Sequence, residues 1–274
     1  MTNHKGKCHW RLIDSPLSDG RTNMATDESL LLSFAVAGSQ PVFRTYGWDP
    51  PALSVGRFQN VTETIDQELC RQMDVPIVRR ITGGGAIFHA DELTYSIVCT
   101  QKQIPPASSV KDSFRVLTGF LIDFYRSLGL EARYAVDTAG AEEGLGVRTP
   151  FCFAGRESFD ILINGRKIGG NAQRRSRKII FQHGSIPIVN RSRDGLQFMR
   201  DRSDSYAEHT TSLIECCVTE DPATLKGMLA DAFRRHMGVV CGTCGLTTAE
   251  EDMTCELLEN SYDRDHWNLK GERA

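Results

Sequence analysis

The stretch Phe159-Asp160-Ile161-Leu162-Ile163-Asn164-Gly165-Arg166-Lys167-Ile168-Gly169-Gly170-Asn171-Ala172-Gln173 decides how the rest of the chain is read. Phe159 to Ile163 and Arg166 to Ile168 are strand-like runs. Asn164-Gly165 between them suits the left-handed backbone of a two-residue hairpin turn. Lys178 to Phe181 and Ser185 to Val189 are expected as further strands of the same sheet. Hairpins interspersed with helices predict an α+β fold. The sheets should be largely antiparallel or mixed with helices packed on them, rather than doubly wound and parallel.

Outward from this hairpin the pattern is consistent. Met24, Leu31 and Phe34, with Asp27 and Glu28 opposite, predict a helix over 24–34 with Asn23 as its N-cap. Val42 to Tyr46 and Ala52 to Val55 read as strands around the turn Gly47-Trp48-Asp49-Pro50-Pro51. Val75 to Thr82 reads as a strand, Gly83-Gly84-Gly85 as a turn, and Ala86 to Phe88 and Leu93 to Cys99 as strands. Phe114, Leu117, Leu121, Phe124 and Leu128 step by three and four, so they share one face of a long helix stopped by Gly129. A helix over Pro222 to Met237 follows Asp221, and Thr248 with Glu251 is expected to form the capping box of a last one. Asp137 to Pro150 is rich in glycine and acid and is expected to be a mobile loop over a site. Residues 1–274 are read as a single domain with no separate C-terminal accessory domain.

Composition narrows the function. The formal net charge of −3 argues against a broad nucleic-acid surface. The longest apolar runs are far too short to cross a bilayer, and Met1 to Trp10 carries no apolar signal core, so a cytoplasmic location is expected. Nine cysteines, irregularly spaced, then read as free thiols. Cys241-x-x-Cys244 would hold a metal only if the fold brought His236 or Cys255 to it, and none is expected.

Three segments carry candidate chemistry. In Arg79-Arg80-Ile81-Thr82-Gly83-Gly84-Gly85-Ala86-Ile87-Phe88-His89, glycines after a strand let backbone N–H groups approach an anion or a carbonyl oxygen. The same segment also reads as a plain turn with solvated arginines. Lys167, on a strand beside glycines, can point into a pocket with little side-chain competition and stabilise an oxyanion. An exposed strand lysine is the simpler reading. Cys152, between Phe151 and Phe153, is a nucleophile if a nearby cation favours its thiolate, and otherwise a packing cysteine.

Together these segments resemble the lipoate–protein ligase and octanoyltransferase family over nearly the whole chain. Asn23-Met24-Ala25-Thr26-Asp27-Glu28, Arg44-Thr45-Tyr46-Gly47-Trp48, the Arg79–His89 loop, Gly165–Gln173 with Gln182-His183-Gly184-Ser185-Ile186, and Trp267-Asn268 match its motifs in order. The resemblance implies the biotin/lipoate protein ligase catalytic-domain fold. Cys152-Phe153 and Glu92-Leu93-Thr94-Tyr95-Ser96 resemble the LipM-type octanoyltransferase branch. That branch moves octanoyl from acyl carrier protein, through a cysteine thioester, to a lysine of a lipoyl domain of a glycine-cleavage H protein or a dehydrogenase E2. Cys152 and Lys167 are then the catalytic pair. Arg79, Arg80, Thr82, Gly83, Gly84, Gly85, Ala86, His89, Gly170, Asn171, Ala172, His183 and Gly184 are the expected substrate-binding residues. Clustered arginines (Arg79, Arg80, Arg174, Arg175, Arg177) are expected to receive the acidic carrier and acceptor. No cofactor and a monomeric state are expected. Gly83-Gly84-Gly85 and Phe159-Asp160-Ile161-Leu162 stand closer to the ligases, which keeps an ATP- and Mg-dependent ligase as the alternative.

Overall fold

The computed structural model describes residues 8–138, 157–202 and 208–273. In chain order the elements are β1 (His9–Ser18), α1 (Gly20–Leu32), β2 (Val42–Trp48), β3 (Ala52–Val55), α2 (Val61–Thr64), α3 (Gln67–Gln72), β4 (Ile77–Arg79), β5 (Ile87–His89) and β6 (Glu92–Thr100). Then follow α4 (Val110–Ser127), β7 (Ala132–Tyr134), β8 (Ile161–Ile163), β9 (Arg166–Ile168), β10 (Gly170–Ser176) and β11 (Ile179–Pro187). The chain continues through α5 (Ser192–Leu196), β12 (Thr210–Thr211), α6 (Pro222–Met237), β13 (Val240–Thr243) and α7 (Thr248–Leu257). Two π-helical turns, Leu258–Tyr262 and His266–Lys270, complete it.

The strands form a six-stranded sheet in the order β10-β11-β6-β2-β1-β13, a four-stranded sheet β12-β9-β8-β7 and a three-stranded sheet β4-β3-β5. Both pairing senses occur: β2 is antiparallel to β6 and parallel to β1. This is the mixed α+β architecture expected. β6 and β11 are buried at every position, so the antiparallel pair they make runs through the middle of the molecule. Helices cover both faces of the large sheet. On one, Phe43 stacks on Phe233 of α6 at 4.1 Å and meets Phe120 of α4 edge-on. On the other, Met24 and Leu31 of α1 pack with Leu257, Tyr262 and Trp267. No helix among the described residues is long and apolar enough to cross a membrane.

Local chemistry explains most boundaries. The hairpin turn is as expected, with Asn164 and Gly165 both at positive φ, 51° and 76°. Asp221 caps α6 by accepting from Ala223 and Thr224 N–H, and Gly129 at φ 76° follows α4. Other details differ. The cap of α1 is Asp19, not Asn23; Asn23 lies inside the helix, and its amide donates to Ser18 O and Gly47 O. Asp27 and Glu28 are buried rather than solvated, because Asp27 meets polar partners from the sheet and Glu28 meets Tyr262 and Arg273 of the C-terminal segment. Lys178–Phe181 and Ser185–Val189 are not two strands beside the hairpin. β11 is continuous and belongs to the large sheet, because Gly169, at φ 76°, turns the chain from one sheet into the other. The last capping box uses Thr247 and Glu250, one residue earlier than the spacing suggested. Of the expected loop, Asp137 ends a 3-10 turn that begins at Ala135, and residues 139–150 lie outside the described residues.

Arg79 ties the C-terminal segment to the segment after β3. Its buried guanidinium donates to Gly56 O, Gln59 O, Trp267 O and Leu269 O at 2.8–2.9 Å. Asn268 Oδ1 accepts from Arg79 N, and Trp267 Nε1 donates to Arg79 O. Arg79→Ala would strand several buried carbonyls, each costing about 1–3 kcal/mol when unsatisfied. The variant is expected to lose at least ~3 kcal/mol in urea unfolding; a loss under ~1 kcal/mol would show that water replaces the guanidinium.

Candidate functional site

A cavity of about 1000 Å³ opens where the three sheets converge. β2 supplies Tyr46 and Trp48, β3 supplies Ser54, and the glycine turn supplies Gly83, Gly84 and Gly85. β10 and β11 supply Gly170, Asn171, Ala172, His183, Gly184 and Ser185. Phe114 of α4, Phe159, Asp160 and Lys167 form a further wall. Phe58, 85% exposed, stands at the lining's outer edge.

Close backbone packing shapes this space. A Cβ on Gly56 would collide with Gly84 O, so the glycine turn rests directly on the chain leaving β3. A Cβ on Gly184 would strike Asn171 Oδ1 and the Tyr95 ring, and Tyr95 OH donates to that Oδ1 at 2.7 Å.

Lys167 is only 3% exposed, and its Nζ lies 2.8 Å from Asp160 Oδ2. Asp160 Oδ2 also accepts Glu157 N–H at 2.8 Å. The sequence suggested a lysine with little competition; the structure gives it a carboxylate partner. The cause is register. Lys167 faces Leu162 across the hairpin, and Asp160, two residues before Leu162, shares its face. Once the two-residue turn is assigned, this pairing is readable by counting back from Asn164-Gly165.

On the opposite side of the lining, Glu92 receives three donors. His89 Nδ1 lies 2.7 Å from Oε1, Thr94 Oγ1 is 2.6 Å from the same oxygen, and Ser185 Oγ is 2.6 Å from Oε2. His89 stacks on Trp48 at 3.8 Å, and its Nε2 meets Ser54 Oγ at 2.7 Å. His183 Nε2 lies 2.7 Å from Thr82 Oγ1, and its Nδ1 is 3.7 Å from Asp27 Oδ2. Burial pulls the pKa of His183 below the usual imidazole value, against the upward pull of Asp27. Ser54, Asp160 and Glu92 were not among the expected site residues, because only the sheets bring Ser54 and Asp160 into the lining and set Glu92 behind His89, Thr94 and Ser185.

The arginines do not behave as expected. Arg79 and Arg80 are 1% and 2% exposed, so neither is a surface for an acidic partner. Arg79 is the clamp described above. Arg80 lines the cavity and holds the glycine turn by donating to Gly83 O and Gly85 O. Thr82 stands behind His183, and Ala86 is buried in the apolar cluster under the three-stranded sheet. Arg174 is half-buried and donates to Ile81 O, whereas Arg175 and Lys111 are exposed in the cavity lining. Cys152 lies outside the described residues. Cys241 sits on the edge strand β13, Cys244 lies 3.4 Å from Arg11 Nε, and His236 is engaged with Asp123. Among the described residues no group of three metal-ligating side chains comes together.

Removing one partner of a buried ion pair is far costlier than exchanging both. Asp160→Ala is therefore expected to destabilise the protein by about 3 kcal/mol in urea unfolding, with the double variant Asp160→Ala/Lys167→Met regaining part of that loss. Equal stability of the single and double variants would contradict the coupling.

Residues 19–236 match the family described as the lipoyl protein ligase A/B catalytic domain. Octanoyltransferase LipM of Bacillus subtilis (strain 168) is 33% identical, the match covering 95% of this chain and 98% of that protein. Octanoyltransferase LipM of Geobacillus kaustophilus (strain HTA426) is 34% identical with the same coverage. Among solved structures, lipoate-protein ligase A bound with ATP aligns with a TM-score of 0.80 at 21% identity, covering 96% of this chain and 100% of its own. A bi-partite lipoate protein ligase, studied with its E2 lipoyl domain from Thermoplasma acidophilum, aligns at 0.79 and 21% identity, covering 97% and 98%. The structural likeness establishes the lipoate ligase catalytic fold. With a matching family domain over most of its length and relatives above 30% identity along nearly all of it, the chain belongs to the lipoyl protein ligase A/B catalytic domain family.

Proposed function

We infer that the protein is an octanoyltransferase of lipoate biosynthesis that works through a Cys152 thioester. The observation carrying this reading is similarity along nearly the whole chain to proteins named octanoyltransferase LipM. The Cys152 thiolate attacks the carbonyl carbon of octanoyl-acyl carrier protein. The new C–S bond forms, the carrier's sulfur leaves with its electron pair, and an acyl-enzyme results. The acceptor lysine of a lipoyl domain then attacks the acyl-enzyme and releases the thiol. An amide is more stable than a thioester, so this step runs forward without nucleotide.

The cavity suits this chemistry. Its walls include Met24, Tyr46, Trp48, Ile87, Phe114 and Phe159. Burying an octanoyl chain there yields up to about 0.8 kcal/mol per methylene. The Lys167 ammonium, held by Asp160 in the cavity wall, is a cation that suits a developing thiolate or oxyanion. β10 is an edge strand, so alternate N–H groups between Gly170 and Ala172 face away from β11 and add candidate donors. Lys111 and Arg175 at the lining, rather than the buried Arg79 and Arg80, are the cations open to an acidic carrier or acceptor domain.

Intact-protein mass spectrometry tests the reading. Octanoyl-acyl carrier protein without nucleotide is expected to load wild type and not Cys152→Ala, and the octanoyl group should pass to an apo lipoyl domain. Modification of the acceptor only with Mg-ATP, unaffected by Cys152→Ala, would make the protein a ligase.

A further inference from the structure

The acceptor lysine reaches the enzyme as an ammonium, and only its neutral amine can attack the acyl group. Lys167 cannot take that proton while its own ammonium pairs with Asp160. The hydrogen bonds around Glu92 identify a group that can, because their directions are fixed by chemistry. Trp48 Nε1 can only donate, and it donates to Thr94 Oγ1, so the Thr94 hydroxyl gives its proton to Glu92. Arg80 Nη1 can only donate, and it donates to Ser54 Oγ, so the Ser54 hydroxyl proton is free to point at His89 Nε2. His89 Nδ1–H then donates to Glu92, and Nε2 carries the lone pair. Stacking on Trp48 holds the ring in this orientation. Ser54 and His89 both line the cavity that Lys167 lines. His183 is the poorer candidate: its carboxylate lies 3.7 Å away instead of 2.7 Å, and burial lowers its basicity.

We propose that Ser54, His89 and Glu92 form a proton relay that deprotonates the acceptor lysine for the second half of the transfer. The inference rests on the acyl-transfer reading above. The ammonium gives one proton to Ser54 Oγ as the Ser54 proton moves to His89 Nε2, and Glu92 stabilises the resulting imidazolium. The amine lone pair forms the C–N bond, the C–S bond breaks, and the second nitrogen proton goes to the departing sulfur.

The experiment loads the enzyme with octanoyl from its carrier protein. It then compares discharge to an apo lipoyl domain with discharge to hydroxylamine, which is already uncharged at neutral pH and needs no base. In His89→Gln the ratio of lysine transfer to hydroxylamine discharge is expected to fall about 100-fold relative to wild type. Ser54→Ala, a smaller change that keeps the test open if His89→Gln misfolds, should lower the same ratio. An unchanged ratio in a loaded variant, or equal loss toward both acceptors, would overturn the relay. Wild type that never loads octanoyl would overturn the octanoyltransferase reading itself; wild type that loads while the variants keep the ratio overturns the relay alone.

Discussion

One buried carboxylate holds the centre of this protein together. Asp27 is 1% exposed, on helix α1 where that helix packs against the sheet. It accepts from Arg44 Nη1 at 2.8 Å, Tyr46 OH at 2.8 Å and Ser96 Oγ at 2.7 Å, with His183 Nδ1 at 3.7 Å. Burial alone would favour the neutral acid, yet Arg44, His183 and Ser96 outweigh it and hold the pKa below the ordinary carboxylate value. The charge is retained because β2, β6 and β11 all supply donors or cations to this carboxylate on α1. A change in how any of these elements pack would leave that charge unsatisfied, so the network specifies one arrangement of helix on sheet.

The cavity inherits its order from that arrangement. β2 and β6 face each other in antiparallel register, and β11 pairs with β6 on its other side. Glu92, Thr94, His183 and Ser185 therefore arrive on neighbouring strands with fixed spacing. The hairpin delivers Lys167 and Asp160 from a separate sheet, and Gly169 makes the switch between sheets. The site thus has two buried charge systems, an ammonium paired with one carboxylate and an imidazole backed by another; Lys167, His89 and Glu92 stand on strands, and Asp160 directly precedes β8. Arg79 then locks the far end of the chain against β4 and the segment after β3, which accounts for a Trp-Asn pair so close to the C-terminus.

Much of this was legible before any coordinates. The hairpin, the long amphipathic α4 and the Asp221-capped α6 follow from turn chemistry and three-four spacing, which act over a few residues. Of the expected substrate-binding residues, Arg80, the three glycines, His89, Gly170, Asn171, Ala172, His183 and Gly184 do line the cavity. Arg79, Thr82 and Ala86 do not. Arg79 and Arg80 are adjacent and chemically identical, yet one clamps the C-terminal turn and the other cradles the glycine turn. Alternation along an extended chain sends neighbours in opposite directions, and which direction faces the cavity is not a property of the dipeptide. β13 does not stand out in the sequence because it is a mostly exposed edge strand with little apolar periodicity.

The sequence by itself determined the local elements, the glycine turn, the hairpin bearing Lys167 and the family to which these motifs point. Those depend on backbone preferences and on residue order within short segments. Only the tertiary structure decided that Asp160 neutralises Lys167, that Glu92 orients His89 toward Ser54, and that Arg79 is a structural clamp. Each of these joins groups brought together by strand register or by contacts between distant segments, as when Arg79 meets Leu269. Their energies come from burial and hydrogen-bond satisfaction, which exist only once the sheets have closed around them.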